Sequence, residues 1–397
     1  MSLIYLGTTM CDSMNNGKLL VEIKHPNGKA FAGSESCKNC HREIFESHLL
    51  TSHYLTSGPA TPANVLGNFE DGRNIFYLNN FLKVGMFKTS DKMTQVGYVE
   101  DREVLRKPID IVIGSGRKGQ TYLYWQENRL FQLPVSYYTP SKSWCSSPGY
   151  PDNQILFNRA ISIRCLECHG TYFKSEKVDG REEYDKNQMI FAVDCERCHG
   201  PAADHVKFQS ENPDIKQARY IINPALLSRQ QRLDNCALCH SGLRENKKPS
   251  FSFLVGDTLE NYSHPDYNVD SSADLDVHGN QYGLLISSKC FRMSSVMDCS
   301  SCHNTHVNEN NVTAFSVKCM VCHQPSSHTY CKLKDTTGFH LVDNCVDCHM
   351  PALPSQKILM QVNNRSSVTH DLVRTHLIGI YWNETKKFQM KRIPSVK

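Results

Sequence analysis

The 397 residues include 18 Cys and 18 His, and fourteen of the cysteines fall into seven copies of one pattern, Cys-x-x-Cys-His. The copies are Cys37/Cys40/His41, Cys165/Cys168/His169, Cys195/Cys198/His199, Cys236/Cys239/His240, Cys299/Cys302/His303, Cys319/Cys322/His323 and Cys345/Cys348/His349. Chance placement at this composition gives on the order of 0.04 such motifs, so the pattern is built. Two thiols at this spacing reach the two vinyl groups of one haem and form thioether bonds, and the adjacent His then lies under the iron as its proximal ligand. The pattern predicts seven covalently held haems c. Zinc is the competing reading, but zinc sites draw four ligands from two separated pairs and do not require His after every second Cys. A thioredoxin-like dithiol needs only one pair, in a βαβ setting.

The rest of the composition sets the boundaries. A chain this long buries a core without disulfide staples, so the cysteines are not there for that purpose. Net charge is +4 and mean hydropathy −0.46. Neither a nucleic-acid footprint nor a membrane span is expected. Two propionates per haem against one net positive ferric centre move the loaded protein to about −3, which removes the mild basicity. Haem attachment of this type takes place outside the cytoplasm, which predicts a periplasmic or extracellular protein. The start, Leu3-Ile-Tyr-Leu6, lacks a basic flank, and Cys11 as a lipid anchor would follow Met10, a poor residue for the preceding small position.

Spacing predicts the organisation. Six motifs lie within Cys165–His349, so neighbouring haems must nearly touch and form much of the core. The expected fold is mainly α, short motif-bearing helices joined by long loops around a haem core, with a small antiparallel β insertion after the first haem. Residues 1–60 form the N-terminal segment with haem 1, 61–150 the β-rich insertion, 151–360 the multihaem core and 361–397 a tail that packs back. The insertion is read from Lys83-Val-Gly-Met-Phe87, Thr94-Gln-Val-Gly-Tyr98, Ile109-Asp-Ile-Val-Ile113, Gln120-Thr-Tyr-Leu-Tyr-Trp125 and Arg129-Leu-Phe-Gln-Leu-Pro134, split by Gly114-Ser-Gly116 and Glu127-Asn128. In the tail, Leu377-Ile-Gly-Ile-Tyr-Trp382 reads as a returning strand.

Eleven further histidines are candidates for second axial ligands. A bis-His haem suits electron transfer; an open position suits catalysis. The stretch Cys37-Lys-Asn-Cys-His-Arg-Glu-Ile-Phe-Glu-Ser-His-Leu-Leu-Thr-Ser-His53 resembles the opening of multihaem cytochromes related to hydroxylamine oxidoreductase and the tetrahaem cytochrome of ammonia oxidisers. So do Cys195-Glu-Arg-Cys-His-Gly-Pro-Ala-Ala-Asp-His205, Asp276-Val-His278 with Gln281-Tyr282, Cys299-Ser-Ser-Cys-His-Asn-Thr-His306, and Arg374-Thr-His376. The resemblance runs from about residue 34 to 382. It implies distal roles for His53, His205, His278, His306 and His376, with His328 a sixth candidate. His48 falls where an aromatic residue is common in those proteins. For the seventh position His370, His340, His264, His48 and His25 compete.

The catalytic marks of that superfamily are absent here. No motif has Lys in place of the proximal His, there is no eighth motif, and no tyrosine matches the one that crosslinks the active haem of hydroxylamine oxidoreductase. The expected function is long-range electron transfer through closely packed, mostly bis-His haems, with redox proteins as partners and head-to-tail polymerisation into a filament as an option. The alternative is an oxidoreductase acting on a small nitrogen or sulfur compound at one open haem. Cys11, Cys145, Cys290 and Cys331 remain; a Cys290–Cys331 disulfide is expected, with free buried thiols as the plain alternative.

Overall fold

The computed structural model describes residues 22–151, 153–266, 275–331, 344–362 and 368–392, the segment 388–392 by backbone alone. Helix and strand take comparable shares, 27% and 29%.

After the first motif the chain builds two antiparallel sheets. One holds four strands, Ile75–Tyr77, Leu82–Lys88, Met93–Val99 and Arg102–Pro108, in sequential order. The other gathers seven, including Ile111–Ile113, Gly119–Gln126, Arg129–Gln132 and Val135–Tyr138. Side chains alternate across a strand, and here both faces are used. Val112, Tyr122 and Tyr124 point into a core with Trp144 of the same sheet and with Phe76, Val84 and Met86 from the four-stranded side. Ile111, Ile113 and Leu123 point the other way, onto Leu166, Tyr172, Phe173, Tyr184 and Phe251. Leu166 lies inside the second motif, so the insertion is packed directly on a haem-attachment segment.

Two expectations about the elements are corrected. The stretch between the second and third motifs is a long hairpin, Gly170–Val178 with Arg181–Phe191, where loops were expected. It turns at Asp179-Gly180, both with positive φ (49° and 72°), the backbone a two-residue turn with the twist of a hairpin requires. Residues 377–381 form no strand; the tail instead pairs Ala352–Gln361 with Val368–Arg374 and ends in a helix, Trp382–Arg392. The irregular run has a use: Gly379 turns its carbonyl onto a motif histidine, which a paired strand could not do.

Several motifs sit on short helical turns with side-chain caps. Asp194, Asp298 and Asn344 each precede a first cysteine, and each caps through its side-chain oxygen: Asp194 takes the Cys195 N–H, Asp298 the Ser301 N–H and Asn344 the Asp347 N–H. The fourth motif ends the twelve-residue helix Arg229–His240, which starts in a Ser228/Gln231 capping box. The sixth ends Val312–Met320 and its following turn, capped by Asn311.

Candidate haem-attachment framework

The residues between the motif cysteines do the docking. Glu196 is 5% exposed and accepts the backbone N–H groups of Ala32 (2.8 Å), Gly33 (2.9 Å) and Ala202 (2.7 Å). It therefore clasps the segment before the first motif onto the third, and Cys37 comes up against Cys195. Arg197 donates to the Glu167 carbonyl at 2.9 Å and lies over the Phe251 ring, tying motif three to motif two. The Glu167 carboxylate, itself buried, holds Arg164 and the Phe251 N–H.

The contacts continue along the chain of motifs. Cys168 meets Cys239, and Cys236 meets Cys299. Arg232 pairs with buried Asp298 at 2.5 Å, locking motif four to motif five. Lys318 reaches the Cys302 carbonyl and Glu309 (2.6 Å), locking five to six. Ser316 Oγ accepts the Cys345 N–H at 2.9 Å and Cys319 meets Cys345, locking six to seven. One continuous path of contacts thus runs 1-3-2-4-5-6-7.

The first motif is clasped on its Cys37 side. Cys40 and His41 are both exposed, and the His41 ring has no ring neighbour among the described residues, although His199 lies within its electrostatic reach. The cause is local. The Glu196 clasp and the Cys195 contact hold the chain at residues 32–37, the Cys37 side of the motif. Beyond Cys37 the backbone closes its own turn, with the Cys40 and His41 N–H groups both donating to the Cys37 carbonyl. It then enters the helix Arg42–His48, which buries only Phe45 and His48. Cys40 and His41 therefore stand at the surface, and the structure pairs His41 with none of the distal candidates.

The other histidines test whether this framework fits haem. A metal–imidazole bond of about 2.0 Å plus roughly 1.1 Å to the ring centre sets two trans ligands about 6.2 Å apart. His53 and His240 have ring centres 6.1 Å apart, His199 and His306 6.1 Å, and His303 and His376 6.2 Å. His278 lies in the electrostatic neighbourhood of His169. His205 neighbours His199 and turns Nδ1 to the Arg219 carbonyl at 2.8 Å. His328 is exposed in the turn after His323 and has no ring neighbour among the described residues.

A haem-ligating imidazole must offer one nitrogen unprotonated, which follows when the other donates its proton. Nδ1 of five proximal histidines faces Thr56 Oγ1 (His169, 3.0 Å), the Ile222 carbonyl (His199, 2.9 Å), Gln281 Oε1 (His240, 3.4 Å), the Thr329 carbonyl (His323, 3.1 Å) and the Gly379 carbonyl (His349, 2.7 Å). Nε2 is left as the ligand. Burial pushes His53, His169 and His376 down to about 4, which keeps them neutral. Among the described residues no three His, Cys, Asp or Glu side chains converge as an ion site. The residues present fit haem.

The contenders for the seventh position separate. His25 accepts the Asn27 N–H on Nδ1 at 3.2 Å, the opposite tautomer from a ligand of this kind. His264 spends Nε2 on Glu245 at 2.8 Å. His370 turns Nδ1 to the Ser355 carbonyl at 2.7 Å and so leaves Nε2 free for a metal. His48 is buried with Nε2 lacking a hydrogen bond, 3.6 Å from Asp194 and with its ring 6.4 Å from that of His306. His340 lies outside the described residues, as does Cys11.

The expected Cys290–Cys331 disulfide is not formed. Both are free thiols; Cys290 neighbours Cys302 and Cys322, and Cys331 neighbours Cys348. Cys145 is buried among apolar side chains, which pushes its thiol up to about 12. The docking roles of Glu167, Glu196, Arg197 and Lys318 were not read from the sequence. For Glu167, Glu196 and Arg197 a charged residue inside a motif whose neighbours must nearly touch was the available signal, while Lys318 lies just before its motif.

Among the described residues no helix is long and apolar enough to cross a membrane. Residues 152–200, from just before the second motif to just after the third, match the family of cytochrome c554 and c-prime. No curated protein matches the chain. Its fold is similar to that in the crystal structure of the outer cell wall cytochrome OcwA, with a TM-score of 0.54 at 15% identity over 91% of this chain and 82% of that one. Seven attachment motifs, the facing histidine pairs, the match over residues 152–200 and the similar fold all support a multihaem c-type cytochrome.

Proposed function

We propose that the chain carries seven haems c and serves as an electron-transfer conduit between redox proteins outside the cytoplasm. The observation that carries this reading is the unbroken series of contacts from motif one to motif seven. Bound haem supplies a one-electron iron couple. The chain's own residues supply order and closure. Glu196, Arg232, Lys318 and Ser316 hold attachment segments against each other, and Cys37 meets Cys195, Cys168 meets Cys239, Cys236 meets Cys299 and Cys319 meets Cys345. His53 with His240, His199 with His306 and His303 with His376 would fill both axial positions, and this favours a carrier over an open catalytic site. Exposed Cys40 and His41 would leave the first motif, at one end of the path, open to a redox partner.

Low-temperature EPR of the oxidised protein tests the reading. Low-spin signals throughout, unchanged by cyanide, nitrite or hydroxylamine, are expected. A stoichiometric high-spin signal that responds to such ligands would favour the oxidoreductase. Particle size against concentration separates a single carrier, which stays monodisperse, from a head-to-tail filament, which grows.

A further inference from the structure

His303 differs from the proximal histidines that face neutral oxygens. His169, His199, His240, His323 and His349 turn Nδ1 to a hydroxyl, an amide or a backbone carbonyl. Nδ1 of His303 instead faces a carboxylate oxygen, Glu309 Oε2, at 3.7 Å. Glu309 is held there from both ends. Oε2 also accepts the Asn304 N–H at 3.0 Å, closing the loop that leaves the fifth motif, and Oε1 pairs with Lys318 at 2.6 Å. Lys318 in turn belongs to the helix that presents the sixth motif and donates to the Cys302 carbonyl.

We infer that Glu309 is the residue that sets the redox level of the haem held by His303, and that Lys318 opposes it. A negative oxygen beside Nδ1 strengthens imidazole as an electron donor and favours the more positive iron state, so it lowers the reduction potential. A neutral oxygen does this less. The haem of His303 therefore sits lower than its neighbours on the path, and Lys318, shared between motifs five and six, limits the drop. An electron passing along the path meets this step at motif five, so Glu309 and Lys318 together govern how easily charge crosses it. The inference rests on the heptahaem reading.

Spectroelectrochemistry of the intact holoprotein tests it, with haem counted in every sample. Glu309→Gln keeps the shape and an oxygen for the Asn304 N–H but removes the charge. One of the seven waves moves up while the other six stay. Lys318→Met removes the opposing cation and moves the same wave down. A variant that merely loosened the loop would not give shifts of opposite sign. Seven haems with no wave moved by Glu309→Gln, or both variants shifting in the same direction, would overturn the inference. Fewer than seven haems in the unmodified protein would overturn the heptahaem reading instead. If Glu309→Gln loads poorly, the downward shift in Lys318→Met alone decides.

Discussion

His53 and His240 face each other with ring centres 6.1 Å apart and planes crossed at 70°, whereas His199 and His306 lie within 20° of parallel. Between trans imidazoles the angle matters, because it sets the splitting of the iron d orbitals. Parallel rings give a rhombic low-spin EPR signal and crossed rings a strongly axial one. The pairs His199/His306 and His303/His376, the latter at 29°, are expected to contribute rhombic signals, and His53/His240 an axial one. His53→Met should abolish the axial component and leave the rhombic ones. Loss of a rhombic signal instead would show that His53 serves another haem.

Glu196 is the clasp between the first and third motifs. Replacing it with Ala strands three N–H groups in a buried site and is expected to cost about 3 kcal/mol or more in unfolding free energy. Denaturant unfolding measures this, and limited proteolysis should show residues 22–60 released first. Burial holds the Glu196 carboxyl above its usual range, against the pull of those donors. Its folded value is thus above its unfolded one. The stability it contributes is complete below the ordinary glutamate range and declines as pH rises through the raised value. Glu196→Gln should flatten that part of the stability profile, and an unchanged slope would contradict the assignment.

Arg232 neutralises Asp298, whose side chain is 4% exposed. Arg232→Ala leaves that carboxylate buried and unpaired beside the cap of the fifth motif, at an expected cost of about 2–3 kcal/mol by thermal or denaturant unfolding. Replacing Asp298 and Arg232 together should recover part of the loss. A double variant as unstable as the sum of the singles would show that the two do not interact.

Thiol reagents should separate the cysteines outside the motifs. Cys145, with its thiol pushed up to about 12 and its side chain buried, should stay unmodified in the folded protein at pH 8 and react on denaturation. Cys290 and Cys331 are partly exposed and free, so both should label in the folded state. Peptide mapping that found them joined would contradict the structure.

Much of this was legible in the sequence because its signals are local. Each Cys-x-x-Cys-His is complete within five residues, and the runs 83–87, 94–98, 120–125 and 129–134 lie within or on strands 82–88, 93–99, 119–126 and 129–132. The hairpin 170–191 was hidden because Arg181, Glu182, Glu183, Asp185 and Lys186 break its apolar alternation, although Asp179-Gly180 announced the turn. The roles of Glu196 and Arg197 depend on segments far off in the chain, which no local pattern reports. For the same reason the motif at Cys37 named Cys40 and His41 without showing that the clasp stops short of them and leaves both at the surface. The strand expected at 377–382 failed because its backbone serves a different partner, the Nδ1 of His349.

The most direct test of the central claim is the intact mass of the protein under denaturing conditions, after expression with a cytochrome c maturation system. Seven covalently attached haems, each localised by peptide mapping to one of the seven motifs, are predicted. Any motif recovered with two unmodified thiols, or with a bound ion in place of haem, would break the path from motif one to motif seven and contradict the account.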